Sequence, residues 1–185
     1  MTAASTLTVQ SVLSAALEGA HQILEATMAD VGDEVANRRA PGNANSVGSS
    51  YAHAIFAEDA VVSGMLRGTQ PLAATTWAGR TGFDRRMPMP GGAGHGGDLG
   101  DWYRTVQVDL TACREYAQAV ARTSVEFVTS ADDETLARPV DMSFVGQGSL
   151  PVSTVLTTFV VGHLNNLCGE IAAIKGVFGL RGYPF

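Results

Sequence analysis

The chain has 185 residues, 45% of them hydrophobic and 16% charged, with a formal net charge of −6. That length suits one domain with a sizeable core and is short for two ordinary ones, while the acidic balance and dispersed arginines argue against a nucleic-acid backbone as the main partner. No uninterrupted apolar run reaches the roughly 18 residues a membrane span needs, and MTAASTLTVQSVL has no basic segment ahead of an apolar one, so no secretory signal is expected and the cytoplasm is the expected location.

From Thr8 to about Val35, Val9, Val12, Leu13, Ala16, Leu17, Ala20, Ile23, Leu24, Met28 and Val31 recur at three- and four-residue steps, which predicts a first core helix. His21 falls towards the edge of its stripe and reads as a boundary residue. The stretch RRAPGNAN ends the helix at Pro41 and Gly42, and Asn45 or Ser46 can cap the next. The second helix spans about Ser46 to Leu66. Tyr51, Ile55, Val62 and Met65 form its apolar side, and His53 shares the other side with Ser46, Ser49, Ser50, Ala57, Ala60 and Gly64. Those residues are small enough to admit a neighbouring helix or to leave a pocket above the imidazole.

From Arg67 to about Gly97 the period dissolves into a long Gly- and Pro-rich connection of about 30 residues, a length that is uncommon unless functional or mobile. Trp77 and Phe83 are placed to pin it, and Arg80, Arg85 and Arg86 concentrate positive charge suited to an anionic ligand. His95, between glycines, reads as solvent-exposed. Asp98 can cap a third helix from about Leu99 to Val128, with Trp102, Val106, Leu110, Cys113, Ala117, Val120 and Phe127 on one stripe. A short helix before Pro139 and a hairpin-like excursion over VDMSFVGQG follow. Cys113 and Cys168 lack CxxC spacing and read as buried, reduced thiols.

The last helix, Val152 to Phe178, reads as continuous. At about 100° per residue, Val152, Leu156, Phe159, Val160, His163, Leu167, Ile171, Ile174, Val177 and Phe178 share a stripe with Asn166 and Glu170, opposite Thr154, Thr157, Thr158, Asn165, Ala172 and Lys175. Buried polar groups on that stripe need partners. Four long amphipathic helices, with a long loop between the second and third and an irregular hairpin before the fourth, make an all-α four-helix bundle.

His53 on the second helix, the run His163-Leu164-Asn165-Asn166-Leu167-Cys168-Gly169-Glu170-Ile171 on the fourth, and the ending Gly176-Val177-Phe178-Gly179-Leu180-Arg181-Gly182-Tyr183-Pro184-Phe185 carry a resemblance. The chain resembles the DinB/YfiT-like superfamily, in an element order that agrees over essentially its whole length. The resemblance implies a single DinB-like domain over residues 1–185. It also implies a divalent metal held inside the bundle by a second-helix histidine and a fourth-helix H-x-x-x-H pair, followed by a pattern like R-G-Q-I. Characterised members include bacillithiol or mycothiol transferases and a mycothiol-dependent isomerase. His53 and His163 match the metal-binding histidines. Leu167 stands in place of the second histidine of the pair, Cys168 replaces the arginine, Gly169 and Ile171 agree, and Glu170 replaces the glutamine.

Residues four apart share a helix face, which is how two imidazoles of one helix reach one ion. With leucine at the second position two nitrogen donors remain, and a tight zinc, nickel or iron site needs a third protein group. Asn166 is a poor ligand type, Glu170 lies about 10 Å along the axis from His163, and Glu58 is about 140° around its helix from His53.

Two functions stay open. One is a divalent-metal-dependent thiol S-transferase of mycothiol or bacillithiol type, or a related hydrolase, with a metal at His53 and His163, a low-molecular-weight thiol as cofactor, and the Arg80, Arg85 and Arg86 loop over the substrate. The other is a non-catalytic small-molecule-binding or dimeric interaction bundle that has lost the metal site. In it His53 or His163 bonds Asn166 or a buried water, and Glu170 pairs with an arginine or with backbone of the excursion. No nucleophile, base and acid stand at a classical spacing, so no catalytic residue is assigned. Superfamily members often pair, so a homodimer is expected; the small-residue face of the second helix would serve a purely structural one.

Overall fold

The computed structural model describes residues 7–88 and 98–185. Thr8 caps α1 (Val9–Met28) in a reciprocal arrangement, its side chain accepting from the Ser11 amide while the Ser11 side chain accepts from the Thr8 amide. Leu13, Leu17, Ala20, Leu24 and Met28 then turn one stripe inward. The periodic pattern predicts this helix to about Val35, but it stops at Met28. Val31 is still buried, and the extended Gly32 opens a separate short helix, α2 (Asp33–Asn37).

α3 (Val47–Asp59) starts from the same kind of capping pair, Ser46 and Ser49, and runs on as a π-helical segment, Ala60–Leu66. The expected third helix is two helices, α4 (Leu99–Thr105) and α5 (Leu110–Ser130), capped by Asp98 and Asp109. Side chains of α2 satisfy the backbone groups freed at that break. The Asn37 side chain exchanges hydrogen bonds with the Val108 amide and carbonyl at 2.7 and 2.8 Å, and Asp33 accepts from the Leu110 amide at 2.9 Å. After α6 (Asp133–Ala137), β1 (Pro139–Asp141) and β2 (Ser149–Pro151) form the antiparallel hairpin, with Val140 opposite Leu150.

The final helix begins as α7 (Val152–Val155), passes through a π-helical segment, Leu156–Val161, and ends as α8 (Gly162–Val177). α1 and α3 each pack on both α5 and α8, which closes a four-helix bundle. No helix of the described residues is long and apolar enough to cross a membrane.

The π-helical segment changes which residues face the core. One extra residue in a helical turn rotates everything downstream by about 100° relative to a continuous α-helix. Leu167, Ile171 and Ile174 stay buried as expected, but Leu164, Cys168, Ala172 and Lys175 join them, so the centre of the inward face shifts from the line of Val152, Leu156 and Val160. His163 and Glu170 move to the edge of the stripe and Asn166 is exposed. The expected placement of Asn166 inside, and of Ala172 and Lys175 outside, is thereby corrected. The buried Lys175 ammonium donates to the Thr27 carbonyl and to Asp30 Oδ1, and this bond holds the Asp30 carboxyl below its ordinary range.

The connection after α3 is structured over its described part. Asp59, buried at the end of α3, accepts from the Leu72 and Ala73 amides at 3.0 and 2.9 Å, from the Ser63 hydroxyl at 2.8 Å and from the Tyr116 phenol at 2.8 Å. Four donors on one carboxylate fix the short helical turn Leu72–Ala74 against the bundle. Trp77 packs on Tyr116 and Phe83 lies edge-on to Phe56, Trp102 and Tyr116, so both aromatics pin the segment as expected. Gly82 is positioned by necessity. Its φ is +84°, and an added Cβ would lie 2.3 Å from the Cys113 backbone nitrogen.

Candidate functional site

α3 and α8 bring His53 and His163 together, with ring centroids 4.9 Å apart and planes inclined by 45°. Both rings are mostly buried. Burial lowers the His53 pKa to about 4, with a smaller contribution from His163, and burial lowers that of His163, against the opposing pull of the Glu170 carboxylate. The pair is therefore two neutral imidazoles at neutral pH.

Tyr103, from α4, closes the third side. Its ring stacks on His53 with centroids 5.2 Å apart and 13° between planes, and its hydroxyl bonds His53 Nδ1. Nothing in the periodicity marked this residue. It reaches His53 because the chain breaks after Thr105, which makes α4 a short helix with its own direction. Glu170, expected to meet an arginine or the hairpin, instead accepts from Asn45 Nδ2 at 2.7 Å and Ser50 Oγ at 2.9 Å. Nε2 of His163 is buried without a hydrogen-bond partner among the described residues.

The other sequence candidates lie elsewhere. Glu58 is buried on the far side of α3, where both carboxylate oxygens stand 2.9 Å from Nε2 of His21, itself 14% exposed at the edge of α1. Arg80 lies over the Trp77 ring and Arg85 donates to Thr105 Oγ1 at 2.9 Å. Cys113 and Cys168 are free and buried, and burial raises the Cys113 thiol pKa. His95 lies outside the described residues.

A resident metal needs three donors converging on one point. Leu167, one turn after His163, is 6% exposed and supplies a methyl-rich wall there. The Glu170 Oε1 atom is committed to Asn45 and Ser50. Among the described residues no group of three His, Cys, Asp or Glu side chains is arranged to hold an ion. The donor set does not fit a three-ligand protein site.

Fold and site together define a mostly helical bundle with a buried histidine pair between its second and fourth long helices. The DinB superfamily model matches residues 16–170, and the chain belongs to that superfamily. A crystal structure of a conserved protein from Enterococcus faecalis is similar in fold, with a TM-score of 0.71 and 19% identity over 92% of this chain and 99% of that one. No curated protein matches the sequence. The Gly169-x-Ile171 part of the fourth-helix pattern has a packing role in this chain. Ile171 is buried in the core, and a Cβ on Gly169 would come 3.1 Å from the Tyr183 hydroxyl, so the glycine admits the C-terminal tail.

Proposed function

We propose that this DinB-superfamily protein is a metal-free small-molecule-binding bundle whose polar centre is the neutral pair His53 and His163. The observation that carries this reading is the donor set around that pair. Leucine at 167 removes the third nitrogen, Tyr103 takes Nδ1 of His53, and Asn45 and Ser50 both bond the Oε1 atom of Glu170. The unpaired His163 Nε2 is the atom a ligand hydroxyl, amide or carboxyl would engage, since a buried polar atom without a partner costs roughly 1–3 kcal/mol.

The unpaired Nε2 also favours a second reading, a divalent-metal centre completed by the thiolate of a low-molecular-weight thiol, as in the thiol transferases of this superfamily. Metal content of tag-free protein purified without chelator, measured by mass spectrometry beside His163→Ala, separates the two. The expected result is no stoichiometric metal in either protein, even after reconstitution with zinc, nickel and iron in the presence and absence of a low-molecular-weight thiol. Metal near one equivalent that disappears in the variant would overturn the metal-free reading in favour of the transferase.

A further inference from the structure

A cavity of about 450 Å³ opens between α3 and the segment 67–88 that follows it. Neither His53 nor His163 lines it. Its inner wall is Phe56 on α3 and Ala60 one turn on, where the π-helical segment begins, with Phe83 and Pro71 beside them. Its rim carries Arg85 and Arg86. The size lies within the roughly 300–1,000 Å³ typical of small-molecule sites, which are mostly apolar with a few placed polar groups.

The cavity is preformed because its covering segment is fastened at both ends. Asp59 binds the amides of Leu72 and Ala73 at one end. At the other, the Asp109 amide donates to the Gly82 carbonyl at 2.6 Å, and Phe83 pairs with Val108 in an isolated antiparallel bridge. The chain is acidic overall, yet residues 80–86 hold three arginines against one aspartate. That aspartate, Asp84, is occupied by the Gln107 amide at 3.0 Å and stands 3.8 Å from Arg85 Nε. The bond from Arg85 to Thr105 uses one terminal nitrogen of a five-donor fork. Apolar walls under an arginine rim match an amphipathic acid, with the ring or chain inside and the anion at the guanidinium groups.

We propose that this cavity binds a small aromatic or alkyl acid, its apolar body against Phe56, Ala60 and Phe83 and its carboxylate or phosphate head at Arg85 and Arg86. The proposal is independent of the histidine pair. The two head groups share their arginine chemistry, and the experiment distinguishes them.

The test is amide NMR of the full chain titrated with naphthylacetate, naphthyl phosphate and the uncharged naphthylacetamide. Saturable shifts are expected at residues 56–60 and 70–86 for at least one anion, with binding at least tenfold weaker for the amide; the tighter anion names the head group. The exposed pair Arg85→Gln/Arg86→Gln should remove the advantage of the anions and leave the weak amide binding in place. Ala74→Trp, at the rim, should block all three compounds. No saturable shift at millimolar ligand, equal binding of anion and amide, an unchanged preference in the arginine variant, or shifts centred on His53 and His163 would each overturn the proposal.

Discussion

The Tyr103 hydroxyl on α4 meets Nδ1 of His53 on α3, 50 residues earlier in the chain, with the two rings stacked. A neutral imidazole carries its proton on one nitrogen, and the partner of Nδ1 decides which. With the phenol donating, Nδ1 accepts and the proton rests on Nε2. Tyr103→Phe keeps the stack and removes that bond. The ring-nitrogen NMR shifts of His53 should then move from one fixed tautomer towards a mixture, with stability falling by about 1 kcal/mol. An unchanged ring spectrum would show that Tyr103 does not set the tautomer.

Burial of the histidine pair makes stability depend on pH in a defined window. The His53 pKa is about 4 in the folded protein against an ordinary 6.5. Between those values the unfolded chain binds a proton that the folded ring does not, so stability rises with pH across the window. The contribution is complete above pH 6.5 and is lost as pH falls towards 4. His163, also lowered, acts in the same direction, while Glu170 opposes it. The His53 effect is on the order of 3 kcal/mol. Urea unfolding at neutral and mildly acidic pH should show a larger loss in the wild type than in His53→Gln. Equal losses would place the acid sensitivity elsewhere.

The bundle was legible because Leu13, Leu17 and Leu24, or Cys113, Val120 and their neighbours, repeat at helical steps that survive folding. The alternating apolar positions of VDMSFVGQG and its glycine-bearing turn likewise announced the hairpin. His53 and His163 were found by the same face argument and are adjacent in space. Asn166 was misplaced because periodicity assumes a uniform helix, and nothing in Leu156–Val161 signals its widened turn. Tyr103 and Asp59 were missed for another reason. Their roles come from partners distant in sequence, a histidine 50 residues away and a tyrosine 57 residues away, and no local pattern encodes such a contact.

Asp59 joins three parts of the fold through one carboxylate, so its loss should be disproportionate. Asp59→Ala strands the Leu72 and Ala73 amides, the Ser63 hydroxyl and the Tyr116 phenol. The capping segment can swing out to hydrate some of these donors, which limits the global cost to about 3 kcal/mol and moves the damage to residues 67–88. Unfolding in urea should show the stability loss, and limited proteolysis under native conditions should cut that segment faster than in the wild type. Wild-type protection of the segment in a destabilised variant would mean that Trp77 and Phe83 suffice to hold it.

Leu167 is the residue on which the metal-free reading turns, and restoring the missing imidazole tests it directly. Leu167→His places a third nitrogen donor four residues after His163, on the same helix face and beside a pair whose centroids are already 4.9 Å apart. The variant should be less stable without metal, by about 2 kcal/mol, because it buries a polar ring where a leucine packs. Zinc should then raise its melting temperature in a concentration-dependent way, since a ligand that binds only the folded state stabilises it. The wild type should be indifferent to the same zinc. A folded variant that ignores zinc would show that His53 and His163 are not posed for a metal at all. A wild type stabilised as strongly as the variant would show that two imidazoles suffice here, and the argument from donor number would fail.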